Sequence, residues 1–330
     1  MSLRFSITPS AGDLRGALEQ VAGDVGLAAG VGDSVFIKPN FTYPYFKPGV
    51  TTTRELLVEL VGLLKDLGCR RVCLGEGDGG YNTFSMDTTF ENFRLEELTR
   101  RYGLEVVNVG RWSSQEIEVD SGHGPFRVLL PRPVFEEFDS FISVPVPKVH
   151  CMTTISNGVK NQWGLIQDVM RLRLHLAFDE IITEINRRLP TTFVVVDGTF
   201  GLTANGPMLD GVALDLGWIS ACDNVWLNDA LVCRLMGMPL AQVSHLAYAG
   251  RLGLMPASSH DEISGNFDSF CDDRFYLRRN PWNRLAKLTW HSPRLNHLAY
   301  FSTASGLMHR VMYSVRSKPD EISFKGVDWR

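Results

Sequence analysis

Residues 147–164 (PKVHCMTTISNGVKNQWG) set two Lys, a His, a Cys, three hydroxyl side chains and two Asn beside an apolar run. That composition is unsuited to a core and suited to a polar pocket. Other chemistry-bearing residues follow apolar runs elsewhere: Lys38 and Asn40, then Glu76 and Asp78, and Asp197. In an open parallel sheet, ligands sit at the carboxyl ends of the strands, where loops meet and helix N-termini point. A single Lys or Asp at such an end is ordinarily solvated, so convergence is what would make a site. Lys38, Lys148 and Arg171 are expected to hold a carboxylate or phosphate by charge-assisted hydrogen bonds. Asn40, Asn161 and Asn205 are further substrate contacts. His150 and His175 are expected to serve as acid and base, because imidazole titrates near neutral pH. Lys160 would stabilise developing negative charge or anchor a cofactor.

Imidazole with carboxylate also suits a divalent ion such as zinc, nickel or iron, and His150, His175, Asp197 and Asp223 are the candidate ligands. Their spacing does not choose among the metals. Asp168, Arg171 and His175 stand at i, i+3 and i+7, so a helix would put them on one face. Asp223 is also placed to cap a helix beginning at Asn224. Two apparent motifs carry less. Residues 75–80 spell G-x-G-x-x-G after a strand, but carboxylates fill two variable positions and no helix is evident afterwards, so a nucleotide-binding redox enzyme is only an alternative reading. Cys151 adjoins His150, and neighbours on an extended segment point to opposite faces, which disfavours a Cys/His nucleophile pair.

These residues need a scaffold, and the chain alternates short apolar runs with amphipathic segments in the manner of an α/β protein. Strands are predicted at 34–37, 71–74, 105–109, 140–144, 192–196 and 217–221. Helices are predicted over 51–67, near 90–102, over 180–189 and over 224–236. In the first of these Thr caps the start, Leu56, Leu57, Leu60, Val61, Leu64 and Leu67 keep helical spacing, and Gly68 ends it. Residues 111–133 alternate polar and apolar, predicting an inserted β-hairpin that forms a cap or the arm of a homodimer. The fold class is therefore α/β: a mainly parallel sheet with helices on both faces, spanning 1–260, with a basic, partly helical extension over 261–330.

The chain has 330 residues, 44% of them hydrophobic and 21% charged, and a net charge of −4. That is a globular composition without the basic excess that drives nucleic-acid binding, so no nucleic-acid partner is expected. The charge is uneven, however. Residues 271–330 hold 11 Lys and Arg against 5 Asp and Glu, together with Trp282, Trp290 and an amphipathic segment at 295–315. This extension is expected to lie on the acidic body of its own subunit, on an acidic protein partner or on an anionic membrane surface. The six Cys form no C-x-x-C pair, so neither a zinc finger nor an iron-sulfur cluster is supported. No apolar leader or spanning run is present, and a cytoplasmic location is expected.

Taken in order, Val35-Phe36-Ile37-Lys38-Pro39-Asn40, Pro147-Lys148-Val149-His150, Val159-Lys160-Asn161-Gln162-Trp163-Gly164, His175, Val196-Asp197-Gly198, Asn205-Gly206-Pro207 and Ser220-Ala221-Cys222-Asp223 resemble the domain-of-unknown-function 362 family. The resemblance covers about residues 34–255. It implies little chemistry, and this chain departs from those members that carry a Cys-rich ferredoxin module. The segment 158–164 is also faintly similar to the Gly-Lys segment of the nickel-pincer lactate racemase group, which would make Lys160 a cofactor anchor. The reading that results is an enzyme acting on a small anionic substrate by His/Lys acid-base chemistry, with a divalent metal or bound cofactor as its expected helper. The alternative is a non-catalytic carrier of a metal or cofactor that docks through its basic tail.

Overall fold

The computed structural model describes residues 3–307 except 81–82, 190, 208–210, 257–261, 303–304 and 306. Twelve strands are seen among them: β1 (Arg4–Pro9), β2 (Ser34–Lys38), β3 (Arg71–Glu76), β4 (Glu105–Asn108), β5 (Ser114–Ser121), β6 (Gly124–Pro131), β7 (Ser140–Ser143), β8 (Lys148–His150), β9 (Thr154–Ser156), β10 (Thr191–Thr203), β11 (Val212–Cys222) and β12 (Glu262–Ser264). The main sheet runs β12-β1-β11-β10-β7-β2-β3-β4, with β8 and β9 attached to the long end of β10. Its centre, β10-β7-β2-β3-β4, is parallel, and β11 joins β1 and β10 antiparallel.

Connectivity fixes where a ligand belongs. From β2 the chain steps through β3 to β4 on one side; from β7 it steps to β10 on the other. The strand order therefore reverses between β2 and β7, and the region beyond their carboxyl ends is where open α/β sheets take their ligands. Lys38 and Ser143 are in register there as the last residues of the two strands. Alternation along β2 sends Phe36 into one apolar layer and Val35 and Ile37 into the other, so both faces of the sheet are covered.

The helix Arg54–Asp66 begins where Thr53 caps it and buries Leu56, Leu57, Leu60, Val61 and Leu64. The helix expected near 90–102 is two, Met86–Asn92 and Glu96–Tyr102, parted at Arg94, whose φ is +53°. β5 and β6 form their own two-stranded sheet. Ile117, Val119, Val128 and Leu130 of that hairpin lie in the chain's own core, and Trp112 packs 5.7 Å from Phe36, so it is a cap on one face of the sheet. The extension beyond 261 also folds onto the body: Tyr276 N–H is paired with Thr203 Oγ1, and Arg278 N–H with Ala204 carbonyl. The described part of the 295–315 segment is the helix Pro293–Tyr300 with a few residues after it; the rest lies outside the described residues.

Candidate functional site

Lys38 ends β2 almost wholly out of solvent, at 1% exposure, because Pro39 stops the ladder and the chain turns over it. Its ammonium donates to Glu76 Oε2 at 2.7 Å and to the Pro39 carbonyl at 3.1 Å. Burial lowers its pKa, and the Glu76 carboxylate works against that shift. Glu76 is itself held by the N–H groups of Phe41 and Gly77. Gly164 closes over this pair: a Cβ there would stand 2.4 Å from Glu76 Oε1 and 2.9 Å from Lys38 Nζ.

Asn161 ties the strand ends together. Its amide nitrogen donates to the Lys38 carbonyl and to Ser143 Oγ, and its oxygen accepts from Asn40 Nδ2 at 2.9 Å. Asn40 Oδ1 in turn accepts from the ammonium of Lys148, which also donates to the Val50 carbonyl. Lys148 lies on β8, as buried as Lys38, and burial puts its pKa well below the usual lysine value, with Lys160 and Lys38 adding to the shift. Arg171 enters from the other side, its guanidinium donating to the Asp78 carbonyl at 2.8 Å.

Lys160 sits on the one-turn helix Gly158–Asn161, whose first amides are held by the buried carboxylate of Asp229, 3.0 Å from Val159 N. Burial raises Asp229 to about 7, against the hydrogen bonds from Val159, Asn228 and Gly158. Among the described residues the Lys160 ammonium makes neither a hydrogen bond nor an ion pair. Burial lowers its pKa to about 8; Cys151 opposes the shift and Arg171 adds to it. Of the four cations, Lys38 alone is in an ion pair among the described residues; neutral oxygens hold Lys148 and Arg171.

The histidines beside these cations are neutral. His150 Nδ1 accepts the N–H groups of Met152 (3.1 Å) and Thr153 (3.4 Å), which leaves the ring proton on Nε2. Burial, followed by the charge of Lys160, takes its pKa well below 6.5. The tautomer so fixed is a hydrogen-bond donor at Nε2, which narrows the expected acid-base role to donation. His175 stacks between Trp163 (5.6 Å) and Trp290 (4.3 Å), and burial takes it down to about 3. His245, on the helix Ser244–Arg251, is driven to about 3 in the same way, with Lys160 adding to the effect. Asn157 and Gln162 are buried nearby in sequence, and among the described residues neither side-chain amide has a hydrogen-bond partner. A buried amide left unpaired is costly, and such groups gather where a polar ligand or water completes them.

The four expected metal ligands do not come together. Asp197 spends its carboxylate on the N–H groups of Thr53 (2.6 Å) and Thr199 (3.2 Å), fixing the start of the helix Arg54–Asp66. Asp223 pairs with Arg4 Nε at 3.2 Å and with its main-chain N–H. β11 stands three strands along the sheet from β2 and beside β1, so Asp223 at its end meets Arg4 rather than Lys38. No group of three or more His, Cys, Asp or Glu able to hold a metal ion is found among the described residues. Asn205 is near His150, its loop pinned by the Cys151 N–H to Gly206 carbonyl bond, but its side-chain oxygen accepts from Asn283 Nδ2. Residues 171–177 are a 3-10 helix, so Arg171 and His175, four apart, do not share a face; Asp168 precedes it and accepts from Met170 N–H.

A family model described as "Domain of unknown function (DUF362)" matches residues 35–234. The chain belongs to this family. The matched span holds Lys38, Glu76, Lys148, His150, Lys160, Asn161 and Arg171, so the cation cluster is built within the DUF362 region; His245 and Trp290 lie beyond it. A thylakoid-associated protein of Synechocystis is 27% identical over 128 residues, 37% of this chain and 40% of that protein. The match thus spans less than half of that relative's length. A crystal structure of a Thermotoga maritima protein superposes with a TM-score of 0.39 at 12% identity, covering 59% of this chain and 52% of that one. No helix among the described residues is long and apolar enough to cross a membrane.

Some contacts and members of the candidate site have no sequence signal of their own. Glu76 is a strand-end carboxylate whose pairing with Lys38 follows only from the parallel register of β2 and β3. His245 and Trp290 come from distant helices, and nothing local marks them. Asp229 lies mid-helix on Val225–Leu235, and only its hydrogen bond from Val159 N–H shows that it serves the Gly158–Asn161 turn.

Proposed function

We propose that this protein binds a small carboxylate- or phosphate-bearing molecule beyond the carboxyl ends of β2 and β7 and catalyses proton transfer on it. The observation that carries the reading is the cluster of Lys38, Lys148, Lys160 and Arg171, in which only Lys38 has an anionic partner within ion-pair distance among the described residues. Buried cations require counter-charge, and a ligand anion meets that need. Lys160 is the proton carrier. With a pKa of about 8, roughly a tenth of the molecules hold it as a free amine at pH 7, close to the match that general acid-base catalysis favours.

In this scheme the amine of Lys160 takes a proton from a carbon next to the substrate's carbonyl or carboxyl group. The electron pair moves onto the oxygen, where His150 Nε2–H and the remaining cations stabilise it. Return of the proton to the same or the other face completes an exchange or an isomerisation without an oxidant. Trp163, His175 and Trp290 form an aromatic wall that excludes water from the reacting atoms.

The test is solvent-proton exchange, followed by NMR in deuterium oxide over a panel of small hydroxy, keto and amino acids and their phosphates. Deuterium should enter beside the carbonyl or carboxyl of at least one member, and Lys160→Met should abolish it while leaving binding within a few-fold. His150→Ala should lower turnover more than affinity. Exchange that survives Lys160→Met removes the proposed role.

A further inference from the structure

The helices of the C-terminal extension are amphipathic in the reverse sense. A surface helix of a globular protein ordinarily buries its apolar stripe and shows its polar residues. In Pro281–Lys287 the buried side chain is Asn283, and in Pro293–Tyr300 Asn296 is buried with Ala299 and Tyr300. Facing outward are Trp282, Leu285, Leu288, Leu295, Leu298 and Phe301, all between 40% and 58% exposed. The two sets repeat every three residues, so each helix carries one continuous apolar stripe on its outer side. This is an apolar patch larger than scattered surface leucines account for.

The rim of the patch is cationic. Arg278, Arg284 and Arg294 are exposed, as are His291 and His297, and the sequence holds no acidic residue between Asp273 and Asp320. We propose that this face docks on the surface of a bilayer containing anionic lipids. Leucine, phenylalanine and tryptophan enter the boundary between headgroups and acyl chains, and the arginines meet lipid phosphates. Trp282 at the end of one stripe is the residue type that settles at headgroup depth. A second copy of the chain is a poorer occupant, because a two-fold contact would oppose one cationic rim to another. The helices are too short to span, so the contact is peripheral.

The experiment is co-sedimentation of the full chain with phosphatidylcholine vesicles, with and without phosphatidylglycerol, and light scattering of the protein alone. Binding should require phosphatidylglycerol and weaken as salt is raised. Leu285→Glu and Leu298→Glu should each lower the partition coefficient roughly ten-fold. Both side chains are exposed, so thermal unfolding should be unchanged, which separates lost docking from lost folding. Arg284→Glu with Arg294→Glu should weaken binding and flatten its salt dependence. Failure to bind anionic vesicles overturns the proposal. So does equal binding by the leucine variants, or a dimer that Leu285→Glu dissociates.

Discussion

Replacing His245 by Leu should remove a specific part of this protein's acid sensitivity. His245 has zero exposure, lies edge-on to Phe178 at 5.8 Å, and among the described residues has no hydrogen-bond partner for either ring nitrogen. Its folded pKa, about 3, is below the 6.5 of an unfolded histidine. The imidazole is therefore neutral in the fold, and its contribution is undiminished above pH 6.5. As the pH falls from 6.5 toward 3, the unfolded chain takes up a proton that the folded chain refuses, and stability is lost. At about 1.4 kcal/mol per pH unit, the loss is about 2 kcal/mol by pH 5 and about 5 kcal/mol when complete. Urea unfolding of both proteins near pH 7 and pH 5 measures this, because His150, His175, Asp179 and Asp229 titrate in both and largely cancel. The stability difference should move toward the Leu variant by about 2 kcal/mol on acidification. An equal difference at the two pH values would refute the reasoning, since His245 would then be taking its proton inside the fold.

Other perturbations test the cation cluster. Glu76→Gln strips Lys38 of its counter-charge and should cost about 3–5 kcal/mol in urea unfolding; a loss below about 1 kcal/mol would mean the pair is solvated. Gly164→Ala drives a Cβ against Glu76 Oε1 and should cost about 1–3 kcal/mol by the same measurement. Lys160→Met should stabilise the protein at pH 7, because the ammonium is held at a pKa of about 8 against an ordinary 10.5. The charged form is penalised throughout the range below pH 8, by about 3 kcal/mol, and the penalty fades as the pH rises from 8 to 10.5. The variant's advantage should accordingly shrink between pH 7 and pH 10, and a constant advantage would assign it to packing instead.

What could be read from the sequence divides along physical lines. The parallel strands are short and continuously apolar, and the helix Arg54–Asp66 carries its own cap and spacing, so local patterns sufficed for them. The antiparallel flank was not legible in the same way. β1 is only six residues long and is defined by its pairing with β11, and β11 extends well before the apolar run at 217–221. Lys38, Asn40, Lys148 and Asn161 are recognisable as polar residues following apolar strands, and the fold links them in one hydrogen-bond chain. Asp197 and Asp223 obey the same pattern yet serve a helix start and an ion pair with Arg4, because the neighbours of a strand end are set by strand order, which the pattern does not contain. The tautomer of His150 was equally hidden, since it depends on two backbone N–H groups in the turn after β8.

The claim that an anion binds beyond the carboxyl ends of β2 and β7 is tested most directly by calorimetric titration with inorganic phosphate and with malonate, using neutral malonamide as the control. The account predicts saturable binding of at least one anion and none of the amide. It also predicts a roughly ten- to hundred-fold loss of affinity in Arg171→Met, the change expected when a charge-assisted hydrogen bond is removed. Binding of neither anion, equal binding of the amide, or undiminished affinity in the variant would contradict it.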